Sequence, residues 1–206
     1  MHSKIFSERS KNRKKVSKIK KIFLIGGMSE SGKSTVGRYL DSKGIKRLKF
    51  VTYLRRVMER EGATGDFQEW NDRMEFTQRD WLWKCFIEEF ERALKEEGIE
   101  YCCVESLYRP EFGQFIKSSL KNAEVIIVYV HIPLELRLQR QIIRQNLSSI
   151  EEAKAYLLPR DAKKEEWGTP KIRDIADVVL DNSGTMKDLY RQIDEMIRKY
   201  CPNLYQ

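Results

Sequence analysis

Histidine is nearly missing from this chain, with two in 206 residues, and the four cysteines, Cys85, Cys102, Cys103 and Cys201, form no C-x-x-C pair. That argues against a zinc site, which draws on clustered Cys and His ligands. Long apolar runs are missing too. The longest, such as "VIIVYV" at 125–130, falls far short of the roughly 20 residues that cross a bilayer. The basic N-terminus lacks the apolar stretch and small-residue cleavage site of a secretory signal. There is no internal repeat, and no low-complexity segment beyond the N-terminal tail. These absences lead us to expect a soluble, cytoplasmic protein with no membrane span, whose thiols stay free in a reducing compartment. Cys102 and Cys103 sit mid-strand and are expected to be buried.

What is present is an ordinary globular balance, 41% hydrophobic and 34% charged, with a formal net charge of +8. That charge is not spread evenly. Residues 1–21 hold nine Lys/Arg and one Glu, leaving thirty basic and thirty acidic residues beyond them. A short polybasic segment buries too little apolar surface to offset its ordering entropy, so the tail is expected to be disordered. It is either a solvated extension or a weak contact for nucleic acid or another acidic surface. No aromatics are interleaved for stacking; Phe6 stands alone.

From residue 22 onward strands and helices alternate. "KIFLIGG" reads as a buried strand, followed by a helix over 33–42, a short strand at 47–50 and a helix over 53–61. The glycine-punctuated stretch 62–72 reads as a loop or a short turn of helix, and 78–97 as a long amphipathic helix. Then come a strand at 99–105, a helix at 111–121, the strand "AEVIIVYVHI" with its apolar, buried centre and a helix over 134–146. Ser149 with Glu152 and Thr185 with Asp188 match capping boxes. "PRDAKKEEWG" reads as a mobile charged connector, "ADVVLDN" as a fifth strand, and the last helix runs to about 199. This order predicts a parallel sheet covered on both faces, with the Trp-rich stretch 60–98 as an insertion.

Residues 27–34, "GMSESGKS", match G-x-x-x-x-G-K-[ST] in full, between a strand and a helix. Gly27 and Gly32 let the backbone curl so that successive N–H groups converge on an anion. The helix after them points its positive end at the same place. Lys33 adds a charge on the terminal phosphates, and Ser34 offers a hydroxyl to Mg²⁺. Ser29, Ser31 and Thr35 read as backbone contacts or local structure beside the nucleotide rather than as reacting groups.

The motif alone does not name an activity; its companions narrow it. Glu105 ends the third strand, where an acid holds Mg²⁺ through water. Arg109 follows at the mouth of the same cleft and suits bidentate phosphate capture. Arg137, Arg140 and Arg144 share a helix with no compensating acid among them, so either an anion lies between them or the face is simply solvated. Arg160, Lys163 and Lys164 lie on the charged connector, which could close over phosphates and exclude water.

In this order and spacing the motifs resemble the nucleoside monophosphate kinase and dephospho-CoA kinase group of P-loop kinases, adenylate-kinase-like, over roughly 22–199. The resemblance implies a three-layer α/β/α fold with a five-stranded parallel sheet, a helical acceptor-binding insertion at about 60–98 and a short lid at about 158–168. It implies ATP and Mg²⁺ as cofactors. "FVTYLRRV" resembles the acceptor-side segment, which implies that Arg55 grips the acceptor phosphate together with Arg109. "IPLELRLQRQIIR" is similar to the helix before the lid, which implies that Arg140 and Arg144 meet the donor. Arg160 corresponds to the lid's phosphate-facing residue, and the adenine is implied near Ser183–Thr185, at Gly184. One departure counts against a hydroxyl acceptor. The group often carries an Asp after strand two, and here "KFVTYL" has no acid; an acceptor phosphate needs cations more than a base.

The expectation is an ATP-dependent kinase in which Lys33, Glu105, Arg144 and Arg160 are catalytic and the acceptor is a phosphorylated small molecule, a nucleoside monophosphate first. Dephospho-CoA-like transfer to a hydroxyl and a nucleic-acid-associated ATPase working through the tail are the rivals.

Overall fold

The computed structural model describes residues 19–205; the expectations for the basic tail, its disorder and its nucleic-acid contact, fall almost wholly outside them. Five strands form one parallel sheet: β1 (Lys21–Gly26), β2 (Lys46–Lys49), β3 (Tyr101–Leu107), β4 (Glu124–His131) and β5 (Val178–Asp181). Their order is β2-β3-β1-β4-β5. β1, which carries the glycine motif at its C-terminal end, is therefore the central strand. The order reverses direction beside it, which is where ligands bind in open α/β sheets.

The helices are α1 (Lys33–Ser42), α2 (Phe50–Arg60), α3 (Phe67–Thr77), α4 (Arg79–Glu96), α5 (Pro110–Ser119), α6 (Leu134–Gln145), α7 (Ile150–Glu166) and α8 (Met186–Tyr200). Alternation along the strands feeds two cores. Ile22, Leu24, Cys102, Val104, Val125 and Ile127 face one, roofed by α2–α5. Phe23, Ile25, Cys103, Ile126 and Val128 face the other, beneath α1 and α8. The result is the three-layer α/β/α sandwich expected. All four cysteines are buried and free. No helix among the described residues is long and apolar enough to cross a membrane.

Three local expectations are corrected. Phe50 is not in the second strand but opens α2, where it is buried against Phe86 and Phe112. The stretch 62–72 is not mainly loop: Asp66 caps α3 by accepting from the Glu69 N–H at 3.0 Å, and Phe67, Trp70 and Met74 bury one face. The charged connector is the C-terminal half of α7. Its Ala, Leu, Lys and Glu residues are good helix formers. Ala153 and Leu157 anchor it on Leu138 of α6, which outweighs the missing amide of Pro159 inside the helix.

Both capping positions also exist. Thr185 and Asp188 form the full reciprocal box. Ser149 accepts from Glu152 N, but the Glu152 carboxylate turns to Ser148 N instead of the cap residue.

Candidate active site

Between β1 and α1 the backbone takes left-handed turns at Gly27 (φ 143°), Glu30 (φ 55°) and Gly32 (φ 97°). Gly32 begins α1 with no side-chain cap and no acidic residue in the first turn. The first amides of α1 are thus left for an anion. Gly32 is obligatory twice over: besides its φ, a Cβ there would overlap the Asn182 amide.

Around this loop lies a cavity of about 860 Å³. It is lined by Ser29, Ser31, Gly32, Lys33, Ser34 and Thr35 of the loop and by Arg140, Arg144, Arg160 and Gly184. Ten predicted residues are therefore brought together; Gly27 makes the turn behind them. The Lys33 ammonium folds onto its own loop, donating to Gly27 O and Met28 O, both at 2.7 Å. Burial, and then the nearby Lys164 ammonium, push its pKa down to about 7.

Glu105 is 3% exposed. It does not end its strand: β3 runs on to Leu107, and the register with β1 slips so that Ile25 pairs Glu105 while Gly26 pairs Leu107. Ser106 is the bulged residue, with φ 79°. A bulge of this kind re-aims side chains beside a site. Ser34 Oγ donates to Glu105 Oε2 at 3.2 Å, so hydroxyl and carboxylate share one spot, as hard oxygen ligands for Mg²⁺ should. Among the described residues no cluster of three or more His, Cys, Asp or Glu exists. One hydroxyl and one carboxylate at a single spot could hold a hard cation that keeps most of its waters.

The same carboxylate is gripped by a residue that sequence reasoning missed. Arg47 on β2 donates through Nε to Oε1 at 2.5 Å and through Nη2 to Oε2 at 3.1 Å. Gly37 of α1 makes room for this group, because a Cβ there would overlap Glu105 Oε1.

Two of the three arginines on this helix are compensated after all, by acids from other elements. Arg137 is buried against Asp161 of α7 and also reaches Ser29 O at 3.4 Å. Arg144 pairs with Glu30 of the loop at 2.7 Å. Arg140 donates to Asn182 O at 2.8 Å and to its Oδ1 at 3.3 Å, and burial lowers its pKa. Asn182, also missed, donates Nδ2 to Ser31 O at 2.8 Å. Helix α7 docks directly on the loop: Asp161 Oδ1 accepts from Ser29 N at 3.2 Å, and Lys164 Nζ lies 2.6 Å from Ser29 Oγ. Burial lowers the Lys164 pKa to about 8. Arg160 is exposed, its guanidinium 4.3 Å from the Tyr156 ring centroid.

A second cavity, about 290 Å³, opens beside the first; Ser106 and Tyr108 line both. Glu105 and Arg109 line it. Arg109 Nε sits 3.5 Å from Glu75 Oε2. Arg55 lines neither cavity; it is exposed, with its guanidinium over Phe67. Glu75 was missed because α3 was not read as a helix: 62–72 reads as a loop or a short turn, and the next helix as beginning at 78.

Fold and loop together define a P-loop kinase architecture: a central parallel strand, a phosphate loop, an arginine-bearing helix and a helix folded over the loop. Solved structures agree. The protein TT1252 from Thermus thermophilus superposes with a TM-score of 0.56 at 25% identity, over 88% of this chain and 98% of that one. A gluconokinase from Sinorhizobium meliloti 1021 gives 0.55 at 15% identity, over 91% and 97%. No family model matches. In sequence the chain is similar to a UPF0200 protein of Sulfurisphaera tokodaii, 26% identical over 87% of this chain and 97% of the relative. It is equally similar to UPF0200 protein PH1008 of Pyrococcus horikoshii, 26% identical over 88% and 98%.

Proposed function

We propose that the protein is an ATP- and Mg²⁺-dependent small-molecule kinase that transfers the γ-phosphoryl group to a phosphorylated acceptor, a nucleoside monophosphate. The observation that carries this is the pair of cavities meeting at Ser106 and Tyr108 beside Glu105. One is rimmed by cations and loop amides, and the other by aromatic and polar side chains. A switch or motor needs the first and has no use for the second.

In this reading the 27–35 loop and the α1 amides hold the donor phosphates, and Gly184 lies near the adenine. Lys33, Arg144, Arg160 and Lys164 offset charge on the group in flight. Ser34 and Glu105 would hold Mg²⁺, which would supply neutralisation of the phosphate charge. An acceptor oxygen attacks the γ-phosphorus as its bond to the β–γ bridging oxygen breaks, in line, so positioning and electrostatics do most of the work. Arg109 holds the acceptor phosphate near the junction, and Arg55 joins it only if α2 or its own rotamer shifts.

One observation favours a second reading, transfer to a hydroxyl. Arg109 already faces Glu75, and Arg55 stands outside the pocket. The fold is shared with a gluconokinase, and gluconate carries no phosphate.

A metabolite panel with ³¹P detection tests both. We expect phosphorylated product from at least one nucleoside monophosphate, lost with Lys33→Ala. Product only from unphosphorylated alcohols selects the second reading. No product from any acceptor, together with ATP hydrolysis stimulated by nucleic acid, would sink the kinase proposal in favour of an ATPase acting through residues 1–21.

A further inference from the structure

The smaller cavity has a chemistry of its own. Its wall on α3 carries Gln68, Asn71, Asp72 and Glu75, at i, i+3, i+4 and i+7, so all four share one helical face. Other parts of its lining are apolar and aromatic, including Phe50, Leu54, Phe112 and Trp167. Two atoms of the α3 wall, Asn71 Oδ1 and Glu75 Oε2, are buried without a hydrogen-bond partner. Native proteins leave few such groups, and each calls for a partner.

The sign of that partner follows from the groups themselves. A carboxamide can turn to donate or accept, but a carboxylate accepts and does not donate. Glu75 Oε1 already takes the Trp83 indole N–H at 3.0 Å. Oε2 has guanidinium nitrogens of Arg109 and Arg79 only at ion-pair range, 3.5 and 3.6 Å. Asp72 is tied to Lys163 of α7 at 2.8 Å. Asn71 Oδ1 and Glu75 Oε2 are thus the acceptors of this wall without a hydrogen-bond partner, and a small turn of either side chain is needed to present them to the cavity. A phosphate is the wrong occupant for this wall, since Asp72 and Glu75 would repel it.

We infer, resting on the kinase reading above, that the acceptor turns an N–H-bearing amino group on a flat, apolar body toward Asn71 and Glu75. Its phosphate-accepting end stays at the junction by Ser106 and Tyr108. Glu75 is then the specificity residue of the pocket. Two sources share this chemistry: an amino-bearing nucleobase and an aromatic amino alcohol.

Paired acceptors separate the sources and test the inference. CMP against UMP and AMP against IMP exchange an amino group for a carbonyl oxygen. 2-(4-Aminophenyl)ethanol against its 4-methyl counterpart exchanges it for a methyl. For each pair kcat/KM is measured, together with binding by calorimetry in the presence of a non-hydrolysable ATP analogue. The amino member of at least one pair should be preferred by on the order of tenfold to a hundredfold, the worth of one hydrogen bond to a buried charged group. Glu75→Gln should shrink that preference to within about threefold. If Glu75→Gln melts early, Asn71→Leu serves, with the same loss expected in smaller degree. Equal turnover of both members of every pair overturns the inference and leaves the kinase reading standing. Discriminated binding with no transfer to any acceptor keeps the inference and removes the kinase reading. Neither binding nor turnover of any amino-bearing member overturns the inference.

Discussion

Gly37→Ala pits a local helix preference against the site. Gly37 lies inside α1, with ordinary helical backbone. Alanine is a better helix former than glycine by roughly 0.8–1 kcal/mol. By propensity alone the substitution would raise Tm by about 2–4 °C in a chain of this size. The neighbours reverse the sign. An added methyl would overlap Glu105 Oε1, lie 3.0 Å from Glu105 Cδ and 3.2 Å from Arg47 Nε. The carboxylate cannot simply swing aside, because it is buried and held by Arg47 and Ser34. Overpacking typically costs about 1–3 kcal/mol, and loosening a buried ion pair adds to it. After the propensity gain the net loss is about 1–3 kcal/mol, a fall in Tm of roughly 2–12 °C. The displaced carboxylate also no longer meets Ser34, so the Mg²⁺ concentration giving half-maximal transfer should rise by about tenfold, the equivalent of roughly 1.4 kcal/mol. Thermal melts and a Mg²⁺ titration of product formation read the two effects separately. A variant that melts higher and keeps its Mg²⁺ midpoint would refute the claim that Glu105 is wedged between α1 and Arg47 as a metal ligand.

Two further predictions concern the phosphate loop. Burial and Lys164 hold the Lys33 pKa near 7, below the ordinary 10.5, so between those values the unfolded chain binds more protons there than the folded one. Stability from this group therefore rises with pH across that window and is least below about pH 7. Lys33→Met should melt higher than the parent protein at pH 6.5, with the gap closing by pH 10; a gap independent of pH contradicts the buried-charge account. Asn182→Ala removes the bond to Ser31 O and one of those from Arg140. It should weaken ATP binding by roughly tenfold, from about 1–3 kcal/mol per lost buried partner, while leaving acceptor KM unchanged. Calorimetry with ATP would contradict this by finding an unaltered Kd.

Much of this fold was legible because it is written in short-range patterns. The strand, glycine loop and helix at 21–42 announce themselves within twenty residues, and the motif's position relative to β1 follows from chain connectivity alone. β4 is apolar and buried from Val125 to Val130 because both faces are covered. Thr185 with Asp188 needs only four consecutive residues to form its box. The failures were of boundary and of state. Gly62 and Gly65 punctuate the sequence before α3, and both take positive φ. They end at Asp66, whose cap is a three-residue signal that a glycine-rich context hides. The 158–168 segment reads as a connector because its charge dominates its composition, yet charge is no bar to helix when Leu157 and Asp161 are both anchored on α6.

The site was legible residue by residue but not pair by pair. Lys33, Ser34, Glu105, Arg109, Arg140 and Arg144 could be picked out from type and position, yet what each one touches is set across the fold. Arg144 and Glu30 are 114 residues apart, Arg47 and Glu105 are 58, and Asn182 and Ser31 are 151. The expectation that three helix-borne arginines lack acids holds within the helix and fails in the protein for Arg137 and Arg144, because Asp161 and Glu30 arrive from α7 and from the loop, while Arg140 meets Asn182 instead. The same blindness hid the polar α3 wall of the second cavity. An acid was sought just after β2 and found missing, but carboxylates enter the second cavity from α3, at Asp72 and Glu75. If α3 is the wall that reads the acceptor, the insertion determines specificity while the P-loop determines the donor, and substitutions in the two regions should alter acceptor KM and ATP affinity independently.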